Sequence, residues 1–323
     1  SKTNLKISFM KILIIGFGSI GKRHYRNLTA LGYKNIAVFD PSDRAFDGIA
    51  GVARIGKLDV DLTGDFDVAF ICSPNNLHIK HALICVKAGL HLFIEKPLSH
   101  NLNGIKELEN ICKKKKLITM VACNMRFHSC LEFIKKCMVA KKLGKIYSIR
   151  HESGYYLPYW RPTQDYRKNY AAKKSTGGGI ILDDIHEYDL LFWLNDFNKV
   201  IENKIIFNRA SNLEIETEDQ AVGTFLFDNK VLGVVLSDYL QQSYSRKCKV
   251  VGEKGALEWD FKENIVFLKT KDTIKELFAE KNFDFNQTYI KEVKYFFDCV
   301  KNKKVTFNNI EIAGSLLKYC VKR

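Results

Sequence analysis

Met10-Lys11-Ile12-Leu13-Ile14-Ile15 runs directly into Gly16-Phe17-Gly18-Ser19-Ile20-Gly21, and this join decides how the rest of the chain is read. A strand-length apolar run that breaks into G-x-G-x-x-G and then takes helical spacing opens a βαβ dinucleotide-binding unit. Gly16 permits the tight turn, Gly18 lets the main chain approach a pyrophosphate, and Gly21 lets the helix lie close on the strand. The free N–H groups at the helix start favour negative charge there, so Phe17, Ser19 and Ile20 are read with the glycines as cofactor-binding. Asp40 ends the next apolar run, about 20 residues on, where a carboxylate accepts hydrogen bonds from the adenosine ribose. This favours NAD, because an added 2′-phosphate would face a carboxylate; Arg44, with Ser42, leaves NADP possible.

Working outward, apolar β-rich runs alternate with helical stretches through the first ~120 residues, the pattern of a parallel sheet covered on both faces. Helix is expected at Ser19 to Leu31, Leu77 to Lys87 and Leu102 to Cys112, and strand at Ile36 to Asp40, Val68 to Cys72, His91 to Ile94 and Leu117 to Val121. Past Asn124 the character changes. A helix (Leu131 to Val139) and a strand (Ile146 to His151) lead into a long polar, aromatic segment, then a helix from Asp183 to Leu194. Beyond it, Lys204 to Phe207, Ala221 to Phe227, Val231 to Asp238, Lys247 to Val251, Ala256 to Asp260 and Ile265 to Leu268 read as a mostly antiparallel sheet, with a hairpin turn at Asp228-Asn229. Two helices, Asn286 to Lys301 and Ile310 to Lys322, follow. The expected fold is an α/β Rossmann domain over residues 1–124 and an α+β domain over 125–323 with a large, mostly antiparallel sheet.

Composition narrows the function class. Hydrophobic residues are 46% and charged residues 27% of the 323, which fits a globular protein. No apolar run approaches the ~20 residues of a membrane span. Ser1 to Phe9 lacks the apolar core of a secretory signal, so a cytoplasmic location is expected. Nine cysteines include no Cys-x-x-Cys pair, which reads as free thiols rather than a disulfide framework or a metal site. The net charge of +15 is spread along the chain, and its one dense run, Lys113 to Lys116, ends a predicted helix. That is a solvated face rather than a nucleic-acid footprint, and the excess suits an anionic substrate.

Several distant segments together resemble the glucose–fructose oxidoreductase / inositol dehydrogenase (Gfo/Idh/MocA) family. They are the Gly16–Gly21 loop, Ser73-Pro74-Asn75-Asn76-Leu77-His78, Glu95-Lys96-Pro97-Leu98, Asn124-Met125-Arg126-Phe127-His128, and Gly177-Gly178-Gly179 running into Asp183, His186 and Asp189. The segment Tyr155 to Pro162, then Asp165-Tyr166-Arg167, resembles a branch linked to surface-polysaccharide and sugar biosynthesis. The resemblance implies that Ser73, Pro74, Asn75 and His78 line the cofactor site, that Glu95 contacts the cofactor near its nicotinamide ribose, and that Asn124 lies near the nicotinamide or substrate. It also implies homodimers or homotetramers paired through the antiparallel sheet. Many members have four positions from the Asp to the His, whereas Asp183 and His186 are three apart; on one helix either spacing shares a face.

The expected chemistry needs a base for a hydroxyl proton while a hydride leaves the same carbon. Lys96 stands where a parallel strand ends, the edge at which open α/β sheets place ligands, and Pro97 biases it to extended backbone. Its ammonium could orient a substrate hydroxyl and stabilise alkoxide charge. His186 exchanges protons near neutrality, and Asp183 could orient its ring. The resemblance makes Lys96 and His186 the catalytic pair, with Asp183 beside them. Tyr155, Trp160, Arg161 and Tyr166 are expected to reach a hydroxylated or anionic substrate. The function expected is NAD-dependent oxidoreduction of a sugar, nucleotide sugar or polyol. The alternative is a glycosidase-like hydrolase that retains NAD and works by transient oxidation and elimination.

Overall fold

The computed structural model describes residues 10–321. Ser1 to Phe9, expected to carry no export signal, lie outside them. The chain folds as two units, one running up to Ala122 and resuming at Tyr289–Val321, the other Cys123–Thr288. Among the described residues no helix is long and apolar enough to cross a membrane.

In the first unit β1 (Ile12–Ile15), β2 (Ile36–Phe39), β3 (Ala53–Arg54), β4 (Val68–Ile71), β5 (His91–Ile94) and β6 (Thr119–Val121) form a parallel sheet in the order β3-β2-β1-β4-β5-β6. Every residue of β1 and β4 is fully buried, as a sheet covered on both faces requires. Helices α1 (Ser19–Ala30), α2 (His78–Ala88) and α3 (Ile105–Lys115) make the crossovers. Lys113–Lys115 occupy the last turn of α3, where cations complement the helix dipole.

The division expected at 124/125 needs correction at its far end. After the second unit the chain returns in two helices, Asn286–Asn302 and Ile310–Val321, and residues from Tyr289 onward belong with the first sheet. The reason is apolar. Phe296 packs edge-on to Phe93 at 5.5 Å between ring centroids, Phe70 stacks on Phe93 at 4.7 Å, and Tyr33 stacks on Phe297 at 4.4 Å. The link between the two helices also pairs with β6. Val121 N–H donates to Asn308 O at 2.8 Å, Asn308 Nδ2 donates back to Val121 O at 2.9 Å, and Thr306 Oγ1 donates to Thr119 O at 2.6 Å.

In the second unit α4 (Ser129–Val139) leads to a single sheet of eight strands: β7 (Ile146–Gly154), β8 (Val200–Asn208), β9 (Gln220–Phe227), β10 (Leu232–Asp238), β11 (Ser245–Gly252), β12 (Gly255–Asp260), β13 (Ile265–Lys269) and β14 (Ile274–Ala279). Their order is β14-β13-β12-β11-β7-β10-β9-β8, with β7 and β10 the one parallel pair. Helix α5 (Ile185–Leu194) lies on one face. It approaches so closely that a Cβ on Gly223 would sit 2.8 Å from the Tyr188 ring, and one on Gly233 2.7 Å from Leu191. The opposite face leaves Ile206, Leu232 and Leu236 exposed, and Val222 and Leu226, which pair with them across the strands, half-buried.

Removing the Phe296 ring should cost the first unit about 3–5 kcal/mol. In Phe296→Ala, amide hydrogen exchange should accelerate in β4 and β5 while β9 and β10 keep their protection. Loss confined to β9 and β10 would contradict the assignment of this helix.

Candidate active site

The glycine loop of the first unit has the shape its sequence promised. A Cβ on Gly16, whose φ is +93°, would lie 2.7 Å from the Cys72 and Ser73 backbone, and one on Gly21 would lie 2.1 Å from Gly16 O. A Cβ on Gly18 would meet nothing within 4 Å, and no side chain caps the start of α1. The start of α1 therefore has no side-chain acceptor and the space beside Gly18 is open, which suits a pyrophosphate. Phe17 is different: its ring is fully buried against Phe46 at 5.2 Å, and only its backbone serves the loop.

Asp40 organises this loop. Its Oδ2 accepts Phe17 N–H at 2.7 Å and its Oδ1 accepts Ser42 N–H at 2.9 Å. A carboxylate has about four acceptor sites, so two remain for a ribose. Arg44 is exposed on the following turn, and Arg54, which sequence reasoning passed over, lies on the Phe46 ring at 3.8 Å.

At the ends of β4 and β5 the buried polar residues contact one another. Glu95, 8% exposed, takes Nε2–H of the fully buried His24 at 2.6 Å. His24 was missed in sequence, although it sits one turn past Gly21 on the same helix. His78 is 1% exposed, with Nδ1 2.8 Å from Pro97 O and Nε2 2.8 Å from Ser73 O. Expected to line the cofactor site, it instead spends both ring nitrogens on backbone carbonyls. Ser73 and Asn75 are buried, Pro74 is exposed, and Lys96 is half-buried just past β5.

In the second unit the segment expected as one helix from Asp183 is interrupted. Ile180–Asp183 is a single turn, Asp184 departs from helical geometry with φ −95° and ψ 25°, and α5 begins at Ile185. Asp183 and His186 therefore do not share one continuous helix face, which corrects the premise on which they were paired. The Asp183 carboxylate collects tyrosines instead. It accepts Tyr155 OH at 2.6 Å, Tyr170 OH at 2.5 Å and Tyr239 OH at 3.2 Å. Burial and the carboxylate raise all three phenol pKa values well above 10, so these hydroxyls stay protonated and donate. Tyr170 and Tyr239 were not foreseen; only their proximity in space marks them. His186 is half-buried at the start of α5.

Other acids of this segment have separate partners. Arg126 holds Asp189 bidentately, Nε to Oδ2 at 2.8 Å and Nη2 to Oδ1 at 2.6 Å. Glu187, fully buried, accepts Arg246 Nε at 2.7 Å and faces His151 Nδ1 at 3.4 Å. Burial opposes a charge on His151, but Cys248 and Glu187 carry its pKa up to about 10. The buried Oδ2 of Asp184, like Oε2 of Glu187, has no hydrogen-bond partner. Burial first, then the neighbouring Glu187, raise its pKa to about 7.

The remaining candidates divide. Trp160 is 49% exposed, with its ring 4.5 Å from Tyr155 and 5.7 Å from Tyr244. Arg161 is half-buried, and its charge acts on Tyr170. Tyr166 accepts Glu214 N–H at 3.3 Å, and Arg167 is occupied by Asp165 and Glu214. Asn124 is 2% exposed and donates Nδ2–H to Thr288 Oγ1 at 3.0 Å.

Two family models match the chain. One, an oxidoreductase family with an NAD-binding Rossmann fold, covers residues 10–123, and the other, the GFO/IDH/MocA C-terminal domain, covers residues 132–258. The chain belongs to the Gfo/Idh/MocA family of NAD-binding oxidoreductases. It is 28% identical over 309 residues to myo-inositol 2-dehydrogenase of Thermotoga maritima, covering 91% of this chain and 89% of that one. It is 24% identical over 309 residues to scyllo-inositol 2-dehydrogenase (NAD(+)) of Bacillus subtilis, covering 91% and 87%. A crystal structure of a probable dehydrogenase from Thermotoga maritima superimposes with a TM-score of 0.78 at 26% identity, covering 96% of this chain and 94% of that one.

The raised Asp184 pKa has a consequence for stability. A carboxyl protonated in the fold but ionised when unfolded favours unfolding as pH climbs. Its cost is absent below the unfolded pKa, near 3.9, and complete above about 7. Asp184→Asn should therefore match the parent near pH 4 and exceed it increasingly toward pH 7, by up to about 1.4 kcal/mol per pH unit. Urea unfolding across this range tests it; a constant difference would assign the strain elsewhere.

Proposed function

We propose that the chain moves a hydride between NAD and a secondary alcohol or ketone of a sugar, nucleotide sugar or polyol. The observation that carries this reading is the uncapped start of α1 over open space at Gly18, with Asp40 bracing the loop. Its relatives' names, inositol dehydrogenases, suggest the substrate class. NADP remains open to the site through Arg44 and Arg54.

NAD would be held by the Gly16–Gly21 loop, Asp40 and the Ser73-Pro74-Asn75 segment, and when bound it supplies the hydride acceptor or donor. Lys96 orients the substrate oxygen and stabilises its negative charge. His186 takes the hydroxyl proton during oxidation and returns it during reduction. Asp183 acts with them as the anchor of Tyr155, Tyr170 and Tyr239. Trp160, steadied by Tyr155, offers an aromatic face to a sugar ring. Arg161 is the cation suited to an anionic substituent. In the first unit His78 holds backbone in place, and in the second Asn124 holds the Thr288 side chain and Tyr166 the Glu214 backbone.

The open apolar face at Ile206, Leu232 and Leu236 supports a homodimer or homotetramer paired through the sheet. Nine buried free cysteines suit a reducing cytoplasm.

Inositols, sugars and nucleotide sugars should be screened with NAD and NADP separately while nicotinamide absorbance is followed. At least one should give net NADH, and Lys96→Ala should lower its kcat/KM by roughly 10²–10³-fold. Turnover without net NADH would favour hydrolysis, and full activity in Lys96→Ala would remove the assignment of Lys96.

A further inference from the structure

Each ring nitrogen of His78 is placed against a backbone acceptor. The carbonyl oxygens of Ser73 and Pro97 each lie 2.8 Å from one of its ring nitrogens, and neither oxygen has a proton to give. A neutral imidazole carries a single N–H. In that form one of the two contacts would set lone pair against lone pair, in a site 1% exposed where water cannot intervene. The doubly protonated ring satisfies both, each as a charge-assisted hydrogen bond.

The surroundings both oppose and support such a cation. Burial is the largest influence and holds the His78 pKa below its ordinary value, against the upward pull of the carbonyls of Pro97, Ser73 and Leu98 and of the Glu95 charge. What favours the second proton is the pair of short acceptor contacts. Glu95, past the end of β5, is thus the counter-charge. His81, one turn along α2, places Nδ1 2.9 Å from Ser73 Oγ. Its pKa is driven to about 4 by burial and then by the charges of His78 and Lys80, so it adds no second cation. The Cys72 thiol is raised by burial and by Glu95, so it stays protonated.

We propose that His78 is a doubly protonated clamp that ties Ser73, beyond β4, to Pro97, beyond β5, and thereby positions Lys96. Pro97 O belongs to the second peptide unit after Lys96, and the proline ring fixes φ between the two, so holding it restricts the backbone from which the lysine side chain starts. Ser73 in turn abuts the glycine loop, since a Cβ on Gly16 would touch Ser73 N at 2.7 Å. One ring therefore joins two strand ends, one of which abuts the glycine loop. His78 touches neither substrate nor cofactor in this role; it acts through its two carbonyls.

The test has two parts. In the full chain labelled with ¹⁵N-histidine at neutral pH, the His78 ring, assigned through contacts to Ser73 and Pro97, should show two slowly exchanging N–H groups. A single N–H with the other nitrogen bare overturns the proposal, and this readout does not depend on any substrate. The kinetic part rests on the hydride-transfer reading. Folded His78→Phe and His78→Asn should lose roughly ten- to a hundredfold in kcat, the worth of one charge-assisted hydrogen bond, with substrate KM little changed. Parental kcat in either variant would overturn the positioning role. Absence of turnover in the parent chain would count against the hydride-transfer reading instead, leaving the two N–H groups to be judged alone.

Discussion

Between Gly16 and Gly21 there is no room for one methyl group: the missing Cβ of Gly21 would stand 2.1 Å from Gly16 O. This approach lets α1 rest directly on β1, and much of the first unit follows from it. It brings the uncapped N–H groups of the helix to the strand end, where their partial positive charge faces outward. It also sets the azimuth of α1, so that His24, one turn beyond Gly21, enters the core against Phe70 and Phe93 and reaches Glu95. A larger residue at position 21 would push the helix away and separate that pair as well as the loop.

The second unit depends on a different economy of charge. Asp183, Asp184, Glu187 and Asp189 are all at most 7% exposed within seven residues of one another. Burying an ion costs several kcal/mol, and pairing returns that cost only when geometry is good. Three of the four acids have such geometry, from tyrosine hydroxyls, from Arg246 and from bidentate Arg126. These contacts gain little net stability over apolar packing, but they admit few alternative placements of α5. Asp184 falls at the break before α5, where burial and then the charge of Glu187 keep its carboxyl protonated to higher pH.

The parts of the fold legible in sequence were those governed by local rules. The periodicities placed β5 at His91–Ile94 without error, and α1 and β10 to within a residue. The glycine loop was legible because steric exclusion writes itself into residue type. The short edge strands β3 and β14 were not, since two residues carry no periodicity and Ile274-Lys275-Glu276 is exposed on an outer strand. Nor was the return of the last helices to the first sheet, because an amphipathic helix does not say which sheet it covers. At the candidate site, Lys96, His186 and Asp183 could be singled out, yet their partners could not. His24, Tyr170, Tyr239 and Arg246 lie 71, 13, 56 and, for Arg246 to Glu187, 59 residues from the acids they serve. No spacing rule spans such distances.

The two proposed catalytic residues have the same kind of neighbour. Glu95, immediately before Lys96, is buried and held by His24; Glu187, immediately after His186, is buried and held by Arg246. Adjacent residues in extended backbone point to opposite faces, and adjacent residues on a helix diverge by about a quarter turn. Tethering the acid therefore restricts the backbone from which its neighbour's side chain starts. A long lysine or a rotatable imidazole would otherwise lose its orientation to side-chain entropy. Fixing the backbone from the buried side keeps the origins of the two proposed catalytic side chains in place.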